Sequence, residues 1–193
     1  MTRLLLLLLA CLLLSPTVAA TAAGSAAVQT RGASTLQLGA LEYVLGMPAA
    51  DFDAAASDAW PWQPLARPTL GKQPDGAWLR LSLRNGGTDA RLWYLLLKWP
   101  VLDRVAVRLH YPDSGRWGAP MLAGDALALS ARPLADHHFV YPLELPPGER
   151  AVVYLQVQAR ETLALPLELI DEKQFVEGRL RDVTLVSLFC GGI

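Results

Sequence analysis

Cysteine is scarce in this chain of 193 residues, which contains only Cys11 and Cys190. The two residues lie near opposite ends, and the long segment between them has no cysteine at all. A disulfide framework is therefore excluded as the source of that segment's stability. A chain of this size buries about 70% of its unfolded surface on folding, so we expect one domain held together by an apolar core.

Charge is also scarce, and it is balanced. There are 17 basic and 18 acidic residues, for a net charge of -1, and charged residues make up 18% of the chain against about 25% in an average protein. Nucleic-acid-binding proteins usually carry a basic excess, so we expect no nucleic-acid partner. The apolar share of 52% argues against disorder.

Signatures of catalysis and metal binding are missing as well. The sequence contains neither a G-x-S-x-G nucleophile motif nor a Gly-rich phosphate loop before a helix. Its histidines are His110, His137 and His138, and we expect the last two to point to opposite faces of a strand because they are consecutive. We therefore expect no metal site, no cofactor and no enzymatic activity.

The two ends have a composition unlike the rest. Arg3 precedes an apolar run over residues 4–14, and Ser15-Pro16 and small residues follow, which predicts a secretory signal peptide over 1–20. Residues 21–33 are expected to be a flexible N-terminus. Residues 183–193 carry no charge but are too few for a membrane span of about twenty residues. We interpret them as the truncated start of a first transmembrane helix; a final strand or core helix is the alternative.

The middle of the chain alternates apolar and polar residues, as half-buried strands do. Turn signals rich in Gly, Pro, Asn and Asp separate about seven such segments, over 36–44, 78–84, 91–99, 104–111, 138–145, 151–159 and 166–170. The segment 91–99 is apolar on both faces, which predicts a central strand. Because no helix is long enough for a parallel crossover, we predict an all-β antiparallel sandwich or jelly roll.

A short helix is predicted after the last strand. Asp171 and Gln174 have the spacing of a capping box, and Phe175, Val176 and Leu180 fall on one helical face. We expect this juxtamembrane helix over 172–182, leading directly into the apolar tail.

Two groups of aromatic and cationic residues are candidate ligand-binding sites. Trp78, Arg80 and Arg84 share one strand face, where an aromatic ring beside a guanidinium suits sugars or carboxylates. Alternatively, Trp78 closes one end of the core and Arg80 pairs with a carboxylate on a neighbouring strand. Trp60 and Trp62, in a Pro-rich loop, form either a binding lip or plugs over the end of the sandwich.

The order and spacing of several motifs resemble one known family. The motifs include Leu38-Gly39-Ala40-Leu41-Glu42-Tyr43, Trp62-Gln63-Pro64-Leu65, Ala77-Trp78-Leu79-Arg80-Leu81, Trp93-Tyr94-Leu95, Leu102-Asp103-Arg104-Val105, Ala123-Gly124-Asp125, Arg132-Pro133, Phe139-Val140-Tyr141-Pro142-Leu143 and Leu145-Pro146-Pro147-Gly148-Glu149. Together they resemble the type 2 extracellular domain of bacterial seven-transmembrane receptors with diverse intracellular signalling modules (7TM-DISM). Gln156 departs from the basic residue expected in many relatives.

The resemblance implies a periplasmic sensor domain over 34–171, with a fold similar to carbohydrate-binding modules and anchored in the inner membrane. It implies an unknown small-molecule ligand, with carbohydrates among the candidates, and Arg132 joins the candidate ligand-binding residues. In relatives the output domain is often a diguanylate cyclase or a histidine kinase, and this chain contains none. The alternatives are a periplasmic interaction module, which includes a homodimer, and a free carbohydrate-binding protein.

Overall fold

Two β-sheets pack face to face in the computed structural model, which describes residues 28–31, 35–47, 49–57 and 59–190, with side chains as far as 181. In chain order the strands are β1 (Val28–Arg31), β2 (Leu36–Leu45), β3 (Gln63–Pro64), β4 (Thr69–Lys72), β5 (Ala77–Asn85), β6 (Arg91–Leu97), β7 (Arg104–Tyr111), β8 (Arg116–Trp117), β9 (Met121–Ala123), β10 (Phe139–Leu145), β11 (Arg150–Gln158), β12 (Thr162–Ala164) and β13 (Leu167–Asp171). The α-helices are α1 (Phe52–Ala56) and α2 (Glu172–Cys190), and a 3-10 turn covers Leu129–Ala131.

The strands divide into a small sheet, a large sheet and a separate pair. The small sheet has the spatial order β1-β13-β6-β10. The large sheet has the order β3-β2-β5-β11-β7-β8, with β9 also paired to β7, and β12 pairs with β4. Nearly all of the pairings are antiparallel, so the predicted all-β sandwich is confirmed.

The alternating strands place their apolar residues between the two sheets, as the sequence predicts. On β5 the inward side chains Leu79, Leu81 and Leu83 are at most 1% exposed. Strands β11 and β7 contribute their own inward rows to the same core, namely Val153, Leu155, Val157, Val105, Val107 and Leu109. Burial of these side chains removes apolar surface from water and is the main favourable contribution to folding.

Strand β6 is buried on both faces, which confirms the prediction of a central strand. Trp93, Leu95 and Leu97 face the core between the sheets. On the outer face, Tyr94 and Leu96 belong to a second apolar cluster that includes Phe175 of α2. The predicted strand ends earlier than expected, at Leu97, and Trp99 beyond it is 38% exposed.

Strand β1 corrects two expectations. It pairs with β13 in parallel, Val28 opposite Leu167 and Arg31 opposite Ile170, so the sandwich is not entirely antiparallel. No crossover helix is required because the two strands come from opposite ends of the domain, and the rest of the domain connects them. Residues 28–31 are therefore ordered rather than part of a flexible N-terminus; residues 1–27, with the predicted signal peptide, and 32–34 lie outside the described part of the chain.

The described residues form more strands than the seven predicted. The additional ones, β1, β3, β4, β8, β9 and β12, contain two to four residues each. Segments of two to four residues contain at most two full repeats of the alternation, which is too little to distinguish a strand from a loop. His138 also lies just outside strand β10, which begins at Phe139.

Asn85 connects two turns at one end of the sandwich. Its side chain is completely buried, and its Nδ2 donates to the carbonyl oxygens of Asp89, at 2.8 Å, and Leu145, at 2.9 Å. Its Oδ1 accepts a hydrogen bond from the backbone N–H of Gly87 at 3.0 Å. The side chain of Asn85 therefore holds the turn after β5 against the end of β10.

Helix α2 begins directly after β13 and is capped as predicted. The backbone N–H of Gln174 donates to Asp171 Oδ1 at 2.8 Å, which is the N-cap interaction that stabilises a first helical turn. The helix continues without a break past residue 182 to Cys190. No helix in the described part of the chain has both the length and the apolar character needed to cross a membrane, and a transmembrane start at 183–193 stays a prediction.

Candidate functional site

The outer face of the large sheet carries a row of polar and aromatic side chains across four strands. Glu42 of β2 lies opposite Arg80 of β5, Arg80 opposite Tyr154 of β11, and Tyr154 opposite Arg108 of β7. All four occupy outward positions, because their strand neighbours point into the core. The register of the sheet therefore places two guanidinium groups on either side of one tyrosine.

An aromatic cluster covers this row, and we call it the aromatic platform: Trp60, Trp62, Trp117 and Tyr154. Trp60 and Trp62 are stacked, with ring centroids 5.6 Å apart and planes 27° apart. Trp62 lies 6.3 Å and Trp117 5.8 Å from the ring of Tyr154. The three tryptophans are half-buried, whereas Tyr154 beneath them is 4% exposed.

The two arginines are held against the platform. The guanidinium of Arg80 lies 4.7 Å from the centre of the Trp62 ring, and its Nε donates to Glu42 Oε2 at 2.7 Å. The predicted pairing of Arg80 with a carboxylate on a neighbouring strand is therefore seen. The guanidinium of Arg108 lies 4.8 Å from the Trp117 ring centre, and its Nε donates to the Gly118 carbonyl at 3.0 Å. Cations in such positions are attracted to the ring faces.

Trp78 lies beneath the platform rather than on its surface. It is 1% exposed, with Phe52 of α1 and Trp60 in edge contact at 5.2 Å and 5.5 Å. Its Nε1 donates to the carbonyl of Met47 at 3.1 Å. Trp78 faces outward from the sheet and does not close an end of the sandwich core, because α1 and the loop after it fold over this face. Its indole supports Trp60 from below.

Trp60 and Trp62 also lie over the sheet face and not over the end of the sandwich. Trp62 Nε1 is buried and has no hydrogen-bond partner among the described residues. An indole N–H that is buried usually finds an acceptor. Because this nitrogen has essentially no solvent-accessible surface, a ligand on the ring faces does not reach it in this arrangement of the rings.

A comparison with protein families identifies the domain that carries this site. The family model described as 7TMR-DISM extracellular 2 matches residues 44–171, about two thirds of the chain. The chain belongs to this family. The match runs from the end of β2 through β13 and includes every residue of the platform. A search of curated proteins finds no match to the chain.

Membership of the 7TMR-DISM extracellular 2 family makes this chain a sensory extracellular module of a receptor. The domain faces outward from the membrane in which such receptors reside. The resemblance inferred from the motif order is confirmed, and the aromatic platform lies in the domain that the family shares.

Two of the predicted site residues lie away from the platform of this DISM domain. Arg84 is on the same strand face as Arg80, but its Nε donates to the Gly148 carbonyl at 3.2 Å, in the turn before β11. Arg132 donates from Nη1 to the Asp136 carbonyl at 2.8 Å, and its guanidinium lies 4.9 Å from the ring centre of Phe139. The structure therefore brings together Trp60, Trp62, Trp78 and Arg80, and leaves Arg84 and Arg132 elsewhere.

Several residues of the site were missed by sequence reasoning. Arg108 and Tyr154 occupy outward positions on strands that were predicted correctly, so the alternation contained the signal. Trp117 gave no such signal, because β8 has only two residues.

Gln156, the departure from the expected basic residue, accepts a hydrogen bond at Oε1 from Arg104 Nη1 at 3.0 Å. A basic residue at position 156 would repel the guanidinium of Arg104, whereas the neutral Gln156 accepts its hydrogen bond.

His110 adds an ionisable group beside the platform. Its ring lies 4.4 Å from that of Trp117. Burial lowers the pKa of His110 from its usual value, with a smaller opposing effect from the charge of Asp53. The neutral imidazole is therefore favoured, and Arg80 and Arg108 are the cations in contact with the platform rings.

The adjacent histidines do not behave as predicted. The rings of His137 and His138 lie 4.0 Å apart rather than on opposite faces, because both precede strand β10 and the strand geometry does not apply to them. In the described part of the chain, no group of three or more His, Cys, Asp or Glu side chains is arranged to hold a metal ion.

Proposed function

We propose that this receptor domain binds a small polyhydroxyl ligand of carbohydrate-like chemistry on the aromatic platform. The supporting observation is the grouping of three half-buried tryptophans with two positioned guanidinium groups on the outer side of the large sheet. The proposed role is non-catalytic, and the proposed location is the periplasm, with the receptor in the inner membrane.

The chemistry of the platform suits such a ligand. A sugar ring has apolar C–H faces that pack on indole rings, and hydroxyl groups at its edge that need hydrogen-bond partners. Arg80 and Arg108 supply fixed donors beside the rings, and Glu42 supplies an acceptor. Apolar faces with a few placed polar groups are typical of small-molecule sites.

The proposed signal reaches the membrane through α2. This helix follows β13 without a linker and packs against the small sheet through Phe175. A ligand on the platform changes the position of α2 only if it binds two arrangements of the domain with different affinities. We propose that the sandwich transmits this difference to the helix, and that the chain beyond it enters the membrane.

Calorimetric titration tests the platform. The purified chain is titrated with glucose, galactose, N-acetylglucosamine and cellobiose, alongside the variants Trp62→Ala and Trp99→Ala. Trp99 is a matched control because it is an exposed tryptophan outside the platform. We expect saturable binding of at least one sugar, weakened about tenfold or more, which is about 1.4 kcal/mol, by Trp62→Ala and unchanged by Trp99→Ala. Equal effects of the two variants would refute the platform as the site.

A second candidate function is a protein-interaction or dimerisation module. Val176 and Leu180 of α2 are 49% and 62% exposed, and apolar residues on an exposed helix face are suited to a helix–helix contact. Sedimentation of the same protein distinguishes the two functions. A stable dimer with no response to any sugar would favour the interaction module.

A further inference from the structure

A pocket, which we call the helix pocket, lies between α2 and the small sheet, away from the aromatic platform. Its volume is about 320 Å³. The outer faces of β6 and β13 form its floor, with Leu96 and Ile170, and α2 forms one wall, with Phe175. The loop before β10, with Asp136, closes another side.

Positive charge dominates the lining of this pocket. Four cationic side chains face two carboxylates: Arg31, Lys98, Arg179 and Arg181 against Asp136 and Glu168. The cations come from separate parts of the fold, since one lies on β1, one follows β6 and two belong to α2. His137 and His138 also line the pocket.

Each carboxylate is already engaged within the protein. Glu168 is 3% exposed and forms ion pairs with Arg31, at 2.6 Å, and with Lys98. Asp136 Oδ1 accepts a hydrogen bond from the backbone N–H of His138 at 3.0 Å and lies 3.1 Å from His137 Nδ1. Both carboxylates are therefore paired with groups of the sandwich and of the loop before β10, and neither contacts α2 in the described interactions.

The two helix arginines are left without a carboxylate partner among the described contacts of the pocket. Arg179 Nη2 donates to the carbonyl of Ala135 at 3.3 Å, and its guanidinium lies 5.6 Å from the ring centre of Phe175. Arg181 is exposed at the pocket's edge. Two positive charges thus remain in excess, beside an apolar floor.

We propose that this pocket binds a small polyanion, bearing two or more carboxylate or phosphate groups, between the sandwich and α2. Charge-assisted hydrogen bonds from arginine and lysine to such oxyanions are among the strongest polar contacts in proteins, and the guanidinium fork matches both kinds of group. A volume of about 320 Å³ is at the lower end of small-ligand sites, which favours a compact ligand.

The anion would connect the sandwich to helix α2, which are the two parts that a signal to the membrane must couple. Of the α2 side chains that the structure describes, only Phe175 is buried, so few apolar contacts hold the helix to the sheet. A ligand that contacts Lys98 on one side and Arg179 on the other draws them together. This binding site goes beyond the sugar site on the platform and does not depend on it.

The test compares two probes, citrate and inorganic pyrophosphate, in calorimetric titrations of the full chain at constant ionic strength. We expect saturable binding of at least one probe, and the preferred probe distinguishes a carboxylate from a phosphate ligand. Arg179→Gln should weaken binding about tenfold, which is about 1.4 kcal/mol. The control Arg67→Gln, an exposed arginine outside the pocket, should leave it unchanged.

The variant Glu168→Gln should change the anion affinity in the opposite direction. It removes the internal carboxylate and frees Arg31 and Lys98, so anion affinity should rise by about tenfold. If that variant fails to fold, Arg179→Gln and Arg181→Gln still test the proposal. Both side chains are exposed on the helix, so these variants should fold, and each should weaken anion binding. Absence of binding by both probes, or equal weakening by Arg67→Gln and Arg179→Gln, overturns the proposal. Loss of sugar binding in Trp62→Ala with anion binding retained shows that the two sites are separate.

Discussion

Phe175 is the only buried side chain among those described on helix α2, and its removal should release the helix without unfolding the domain. Its ring stacks on Tyr94 with centroids 4.1 Å apart and planes 17° apart. It is 9% exposed and packs in the apolar cluster on the outer face of the small sheet. The core between the sheets does not include it, so Phe175→Ala should act locally.

The size of the effect follows from this burial. Burying a phenylalanine side chain contributes about 2 kcal/mol, and the aromatic stacking adds about 1 kcal/mol. Phe175→Ala should therefore cost about 3 kcal/mol of docking free energy, which shifts the equilibrium between docked and released helix about a hundredfold. The neighbouring Val176 is 49% exposed, so Val176→Ala should change this equilibrium by less than about 0.5 kcal/mol.

Amide hydrogen exchange measures the docking directly, because local opening exposes backbone N–H groups to solvent. In Phe175→Ala, amides within residues 172–181 should exchange much faster than in the wild type, while those of β5 and β11 should keep their protection. Val176→Ala is the matched control on the same helix. Unchanged exchange in the Phe175 variant, or equal acceleration in both variants, would refute the view that the Phe175 contact dominates the docking of the helix.

Two further predictions concern the stability of the sandwich. Asn85→Ala removes three side-chain hydrogen bonds of a fully buried residue, so the free energy of unfolding in urea should fall by about 3 kcal/mol; a loss below about 1 kcal/mol would contradict this assignment. Hydrogen bonds from Arg160 hold the pKa of Asp103 below its usual value, so its ionised form stabilises the fold above the unfolded pKa of about 3.9. This stabilisation is lost as pH falls through the lower folded pKa. The deficit of Asp103→Asn in unfolding free energy should therefore be present at pH 6 and shrink toward pH 3, whereas a pH-independent deficit would exclude the mechanism.

The sequence by itself determined the features that depend on local pattern. Alternation of apolar and polar residues identified the long strands, because a strand in a two-layer fold presents one face to the core. Strand β6 is apolar on both faces, which predicts a central strand covered on both sides. The spacing of Asp171 and Gln174 identified the start of α2, since an N-cap bond spans only three residues. The order of the motifs was enough to identify the family.

The sequence pattern predicted only part of the candidate site. Trp60, Trp62 and Arg80 were singled out as aromatic and cationic residues, but their partners come from distant strands. Trp117 and Tyr154 join them because the order β5-β11-β7-β8 places these strands side by side. That order is long-range information, and no local pattern contains it. The same applies to Arg84 and Arg132, whose side chains bind backbone carbonyl groups elsewhere.

Tertiary structure also decided where the first strand lies and which residues surround the helix pocket between α2 and the small sheet. Strand β1 is too short to be recognised alone, and it exists because β13 provides a parallel edge on which it pairs. Arg31, Lys98 and Arg179 are far apart in the chain and meet only because β1, β6 and α2 converge on one sheet face. Local propensity specifies strands and caps through nearest neighbours, whereas sites of this kind arise from packing between distant segments, which the linear order of residues does not display.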